Sequence, residues 1–211
     1  MVERLKISTV PAHEQRPQIG WDFDNVLQRL QHRAWPIIKE RHNLPGTRDD
    51  VPTERLQDTH KQLERSDILE VFAILYNDPF LLPPAHINLP NMLRRLSDDL
   101  GVDHHLVTRT PATTPQLMTW LEVHGVFSHF EEITKVSSAE EKAEVARVIT
   151  IVEDDPAVAE LFASSRRPAM LIKTPWNTDA VTQAEADPKS LVYPVVNLRQ
   201  AEDILLSELR R

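Results

Sequence analysis

The chain has 211 residues, 41% of them hydrophobic, which is enough to bury one sizeable core together with a smaller inserted unit. Its net charge of −8 comes without a basic run, which argues against stable nucleic-acid binding but leaves open a phosphate ester whose charge a metal neutralises. The lack of cysteine excludes disulfides, zinc–thiolate sites and cysteine nucleophiles, and fits a reducing cytoplasm; four glycines provide no glycine-rich phosphate loop. No apolar run reaches the length of a membrane span, and the first residues lack a signal peptide's apolar centre, so we expect a cytoplasmic protein with no membrane association.

Residues 1–17 are polar and read as a loosely held lead-in. "PQIGWDF" reads as the first buried strand. "VLQRLQHRAWPIIKERHNL" has a helical pattern in which Pro36 is expected to kink or restart the helix. "GTRDDVP" reads as a loop. "TERLQDTHKQLERSDILEVFAILYN" places Leu56, Leu63, Phe72 and Leu75 at helical spacing, with a break near Ser66–Asp67. A proline-rich stretch, "DPFLLPPAHINLP", ends that block. "PNMLRRLSDDLG" is a short helix with Pro90 near its start and Gly101 just past its end.

Beyond Gly101 strands and helices alternate. "DHHLVT", "FEEIT", "VITIVE", "PAMLIK" and "SLVYPVV" read as strands. Between and after them come helices in "TPQLMTWLEVHG", with Thr114 as N-cap, in "SAEEKAEVARV", opened by a capping box of Ser138 and Glu141, in "PAVAELFASS" and in "LRQAEDILLSELRR". Such alternation implies an α/β fold, a parallel sheet with helices on both faces, interrupted by a helical insertion after the first strand.

Ligands of open parallel sheets bind beyond the carboxyl ends of the strands, so the residues that follow each apolar run are the candidates. Asp22 and Asp24 follow the first strand and would point the same way in extended chain. Thr108 and Arg109 follow "HHLV", and Glu153, Asp154 and Asp155 follow "ITIV". Lys142 opens the element leading into that last strand, and Lys135 is a nearby rival. The acids suit a hard divalent cation such as Mg²⁺. The cation, Thr108 and Lys142 suit the oxygens of a phosphoryl group, one carboxylate is left to attack phosphorus, and Arg109 reads equally as a surface residue or a contact to the substrate phosphate. His104 and His105 read as a buried or surface pair without metal. Trp176 and Asn177 read equally as a loop anchor or a border of the site.

The set and its order resemble the haloacid dehalogenase (HAD) phosphohydrolase superfamily. "DFDNV" looks like the first motif, "LVT" the second, Lys142 the third-motif lysine and "IVEDDP" the acidic fourth motif. "LIKTPWN" is similar to a stretch of the 5′(3′)-deoxyribonucleotidase-like branch, although Asn25 stands where that branch usually has glycine and Glu153 replaces an aspartate. The resemblance implies a Rossmann-like (HAD-type) core at 1–27 and 89–211 and a helical C1-type cap at 28–88. It implies a Mg²⁺-dependent phosphomonoester hydrolase in which Asp22 is the nucleophile and Asp24 the general acid and base. Asp24 would also lend its backbone carbonyl to the metal, with Asp154 as direct ligand and Glu153 behind or beside it. Thr108 and Lys142 would hold the phosphoryl oxygens, with Arg109 as a possible substrate contact. A nucleoside monophosphate or another small phosphate ester is the implied substrate.

Two other readings stand beside this one: a non-catalytic binding module that keeps the fold, and a phosphotransferase that passes the same intermediate to an alcohol. "ITIVEDDPAVAELF" also reads like the start of a receiver domain, but too little chain follows to complete one.

Overall fold

A computed structural model describes residues 2–7, 16–47, 60 and 62–210. Its centre is a seven-stranded sheet, and its chain order explains where a ligand would go. After β1 (Glu3–Lys6), β2 (Gln18–Trp21) lies mid-sheet. The chain then builds β3 (Asp103–Thr108) and β4 (Phe130–Lys135) on one side of β2. It crosses back to lay β5 (Val148–Glu153), β6 (Ala169–Ile172) and β7 (Val192–Val195) on the other. All these pairs are parallel; β1 alone runs antiparallel, against the outer edge of β4. The direction of winding therefore reverses between β2 and β5, the switch point at which a crevice opens beyond the strand ends.

The strand at Glu3–Lys6 corrects the expectation of a loose lead-in. Its residues are polar and largely exposed, so no apolar alternation announces it, and pairing along one edge of β4 is what orders it. Residues 48–52 of the expected loop and 53–59 and 61 of the expected helix, including Leu56, lie outside the described residues, whereas 62–64 are described and are not helical, the helix beginning at Arg65.

Two apolar cores, one on each face, follow from the period of two along the strands. Ile19, Trp21, Leu106, Val152 and Met170 belong to one, while Val107, Ile151 and Leu171 belong to the other. At Gly20 a Cβ would come within 2.7 Å of a Val148 methyl group, so only glycine lets β2 and β5 sit this close.

The helical insertion rests on the first core. Helix α1 (Leu30–His42) runs through Pro36 without restarting, since the expected break is overridden by burial of Ala34, Trp35 and Ile38 along one face. Helix α2 (Arg65–Asn77) starts in a capping box of Glu64 and Asp67 and buries Ile68, Val71, Leu75 and Tyr76. The insertion's two stems are tied side by side, with the Ala85 amide donating to the Leu27 carbonyl at 2.8 Å. Trp120 Nε1 holds the returning stem by a 2.6 Å bond to the Leu82 carbonyl.

The remaining helices are α3 (Leu89–Leu100), α4 (Thr114–Val123), α5 (Ala139–Ala143), α6 (Pro156–Ser164), α7 (Thr178–Ala186) and α8 (Leu198–Glu208). Gly101 and Gly125 follow their helices with φ of +64° and +68°, as their positions imply. Two caps differ from expectation. Thr113, not Thr114, caps α4, because its hydroxyl and Gln116 complete the reciprocal pair. In α5 the Ser138 hydroxyl caps Glu141 N–H, but the Glu141 carboxylate turns to Ser137. Among the described residues no helix is long and apolar enough to cross a membrane.

Candidate active site

Four of the candidate residues meet at the switch point, each delivered by a strand end or by the helix before one. Lys142 Nζ, from α5, donates to Asp22 Oδ1 at 2.6 Å and to Glu153 Oε2 at 2.5 Å. Asp154, next along the chain, places a carboxylate oxygen within 4.8 Å of oxygens from Asp22 and Glu153. All four side chains are buried, Lys142 and Glu153 with about 1% of their surface exposed. Lys135, the rival lysine, instead donates to the Ala112 carbonyl and braces the loop after β3.

Burial of this many charges dictates the electrostatics. Desolvation opposes the charge on Lys142, but Asp22 and Glu153 outweigh it and hold its pKa above the ordinary value. Burial, then the Asp22 charge, push Glu153 up, against the pull of Lys142. One ammonium among three converging carboxylates leaves negative charge in excess. A divalent cation with oxygen ligands fits that excess, and Asp22, Glu153 and Asp154 are the residues whose oxygens converge.

Asp24 faces elsewhere. Its carboxylate accepts from the Tyr76 hydroxyl at 2.8 and 2.9 Å and from Gln28 Nε2 at 2.6 Å. The Asp24 carboxylate thus lies outside the converging group, turned towards α2, as suits a residue expected to meet the metal through its backbone carbonyl. Burial and the neighbouring Asp22 raise its pKa to about 7, against hydrogen bonds from Thr110 and Tyr76.

Three residues absent from the expected set complete the site. Tyr76 bridges Asp24 and Thr110, whose hydroxyl donates to Tyr76 Oη at 3.0 Å. No motif signals Tyr76, since its role depends on how the insertion folds back. Thr110, two residues after Thr108, lines the main cavity, whereas Thr108 does not; the Thr108 hydroxyl is fully buried and accepts from Thr110 N–H at 3.2 Å. Asn25 adopts φ +62°, a left-handed conformation that asparagine tolerates, which explains asparagine where the resembled branch has glycine. Its amide donates to Asp154 Oδ2 at 3.1 Å and its oxygen accepts from Gln31 N–H at 3.1 Å. The sequence signal was available: an Asn directly after the acidic pair, at a turn.

Arg109 lines the cavity and forms an ion pair with Asp155. Asn177 proves to be a loop anchor. It donates to the carbonyls of Asp154 and Ile172 at 3.0 and 2.8 Å, and neither it nor Trp176 lines the cavity. The cavity itself, of about 720 Å³, runs from the acids to the exposed face of α2.

A doubly wound sheet with buried acids at its switch point defines a Rossmann-like α/β protein whose converging acids could hold a metal ion. Solved structures sharpen that class. A haloacid dehalogenase-like hydrolase from Streptococcus pneumoniae superposes with a TM-score of 0.61 at 11% identity, over 91% of this chain and 99% of that one. A candidate phosphatase from Clostridium difficile gives 0.61 at 15% identity, over 90% and 99%. A candidate HAD hydrolase from Bacillus subtilis, described bound to magnesium, gives 0.54 at 14% identity, over 90% and 99%. The fold is therefore the HAD-type α/β fold. No family model and no curated protein matches the sequence.

Proposed function

We propose that the protein is a Mg²⁺-dependent phosphomonoester hydrolase that works through an aspartyl-phosphate, with nucleoside monophosphates among the small esters it could take. The observation that carries this reading is the buried convergence of Asp22, Lys142, Glu153 and Asp154, with Asp24 turned the other way. In the first step an Asp22 oxygen bonds to phosphorus while the bond to the leaving oxygen breaks, and Asp24 gives that oxygen a proton. In the second, water attacks the phosphoryl group, Asp24 takes its proton back and Asp22 leaves as a carboxylate. Lys142 balances charge on the phosphoryl oxygens and holds Asp22 in place. Thr108, or Thr110 beside it, would donate to the same oxygens. Asp22, Asp154 and Glu153, with the Asp24 carbonyl, would hold Mg²⁺, which would supply charge stabilisation for the transferring group.

The segment 28–88 is the cap in this reading, and residues 1–27 and 89–211 the core. Support comes from the paired stems at Leu27 and Ala85 and from α2 forming a wall of the cavity. The test is phosphate release from p-nitrophenyl phosphate and a panel of alkyl phosphates, with Mg²⁺ and with chelator. Turnover that needs Mg²⁺ is expected; no release from any ester would reject the reading. An added alcohol that captures the phosphoryl group in preference to water would make the protein a phosphotransferase.

A further inference from the structure

Helix α2 presents one continuous face to the cavity. Arg65, Ile68, Leu69 and Phe72 line it, and Tyr76 continues the row to Asp24. At 100° per residue these five positions fall within an arc of about 100°. Val71 and Leu75 flank that arc on the Ile68 side and are buried in the core, as are Ile68 and Tyr76 within it. At 1.5 Å per residue, the row extends about 16 Å from Tyr76 at the acids to Arg65 at the far end.

The chemistry along the row changes in a fixed order. Beside the acids lie the phosphoryl-handling groups. Next comes an apolar stretch of Phe72, Leu69 and Ile68; Leu30 and Pro111 also line the cavity. These side chains offer no hydrogen bond, so a body rich in hydroxyl groups would lose water partners there without replacement. Last comes the guanidinium of Arg65, which pairs with no acid among the described residues.

We infer that the substrate is an elongated phosphomonoester with a flat or apolar middle and a second anionic group, which Arg65 binds at the end away from phosphorus. This rests on the phosphohydrolase reading of the same site and narrows it. It favours an aryl or alkyl phosphate carrying a distal carboxylate over a sugar phosphate or a simple nucleoside monophosphate. A guanidinium receives a carboxylate by two parallel hydrogen bonds, which gives the far end orientation as well as charge.

The probes are 4-carboxyphenyl, 4-(carboxymethyl)phenyl and 4′-carboxybiphenyl phosphates, each paired with its neutral methyl ester, alongside glucose 6-phosphate and a nucleoside monophosphate. At least one acid should exceed its own ester by about 10- to 100-fold in kcat/KM. Charge reversal, Arg65→Glu, should invert that preference; Arg65→Lys should keep part of it. Esters that match their acids at every length, or a sugar phosphate or nucleotide that outperforms all the acids, would overturn the inference. So would an Arg65→Glu variant that keeps the acid-over-ester ratio. A second measurement separates this failure from failure of the phosphohydrolase reading. The same acid and ester pairs, made as non-hydrolysable benzylphosphonates, are titrated in thermal shift with Mg²⁺. Tighter binding of the acids, lost in Arg65→Glu, upholds the Arg65 site even if no ester is turned over; equal binding rejects it.

Discussion

The sheet buries titratable groups in two places, and they are built on opposite principles. In its middle, His104 and His105 sit side by side on β3, both buried. His104 accepts from Trp21 Nε1 at 3.0 Å through Nδ1, and its Nε2 lies 2.8 Å from the Leu93 carbonyl, to which it donates. His105 lies between Gln18 Oε1 and Thr134 Oγ1, at 3.0 and 2.8 Å. Both rings are kept neutral with partners at both nitrogens. At the carboxyl edge of the same sheet, carboxylates outnumber the single ammonium and like charges are forced together. Buried polar groups that are fully satisfied support a fold, whereas buried charges left in excess imply something still to bind.

Removing the buried ammonium should produce the largest effect. Lys142→Met leaves Asp22 and Glu153 facing each other without compensation. Breaking a buried pair in this way costs about 3–5 kcal/mol. The variant should therefore melt well below the wild type in chelator, and Mg²⁺ should recover much of the loss. A variant as stable as wild type in chelator would mean that the edge carries no excess charge.

Asn25 offers a gentler probe, because its backbone and its amide can be separated. Asn25→Gly keeps the left-handed turn but deletes both the hydrogen bond to Asp154 and the one accepted from Gln31 N–H. Loss of such an outer partner typically weakens metal binding by about 10- to 100-fold. We expect the Mg²⁺ titration of melting temperature to shift by that factor, on top of a drop in chelator of about 0.5–2 kcal/mol from the lost Gln31 bond. Asn25→Ala should add a backbone penalty that is visible in both.

Read per pH unit, a single mid-sheet ring gives the smallest effect, and one that Mg²⁺ does not touch. Burial lowers the pKa of His104 to about 4; burial, with Arg147 and Arg4, lowers that of His105 to about 3. An unfolded chain takes up these protons below its ordinary value of about 6.5, while the native state refuses them. Stability should therefore fall as pH drops from about 6.5 towards 4, each ring contributing up to about 1.4 kcal/mol per pH unit. The slope of urea-unfolding free energy against pH should be shallower in His105→Gln than in wild type. Parallel slopes would show that the ring is protonated in the native state.

How much of this was legible depended on how local each cause is. The strand ends carrying Asp22, Thr108 and Glu153 follow apolar runs, so neighbouring residues announce them. The fold class, the insertion and the terminal helix were readable for the same reason. The strand Glu3–Lys6 was not, since its order comes from a partner more than a hundred residues away. Tyr76 and Thr110 escaped because their contact with Asp24 and with each other exists only once α2 has folded back over the edge. The direction of the Asp24 carboxylate was hidden too. Strand alternation places Asp22 and Asp24 together, but the chain leaves β2 at Trp21, and the turn that follows sends the two side chains apart.

That separation of roles is the centre of the account, and covalent trapping tests it most directly. Wild type, Asp22→Asn and Asp24→Asn are mixed with p-nitrophenyl phosphate and Mg²⁺, quenched in acid within the first turnover and digested for peptide mass spectrometry. Wild type should give a hydroxylamine-labile phosphate adduct on the peptide containing Asp22. Asp24→Asn should accumulate more of it, because the phenolate leaves without an acid while hydrolysis of the adduct slows by about 10²–10⁴-fold. Asp22→Asn should give none. An adduct on any other residue, or turnover retained in Asp22→Asn, would contradict the account.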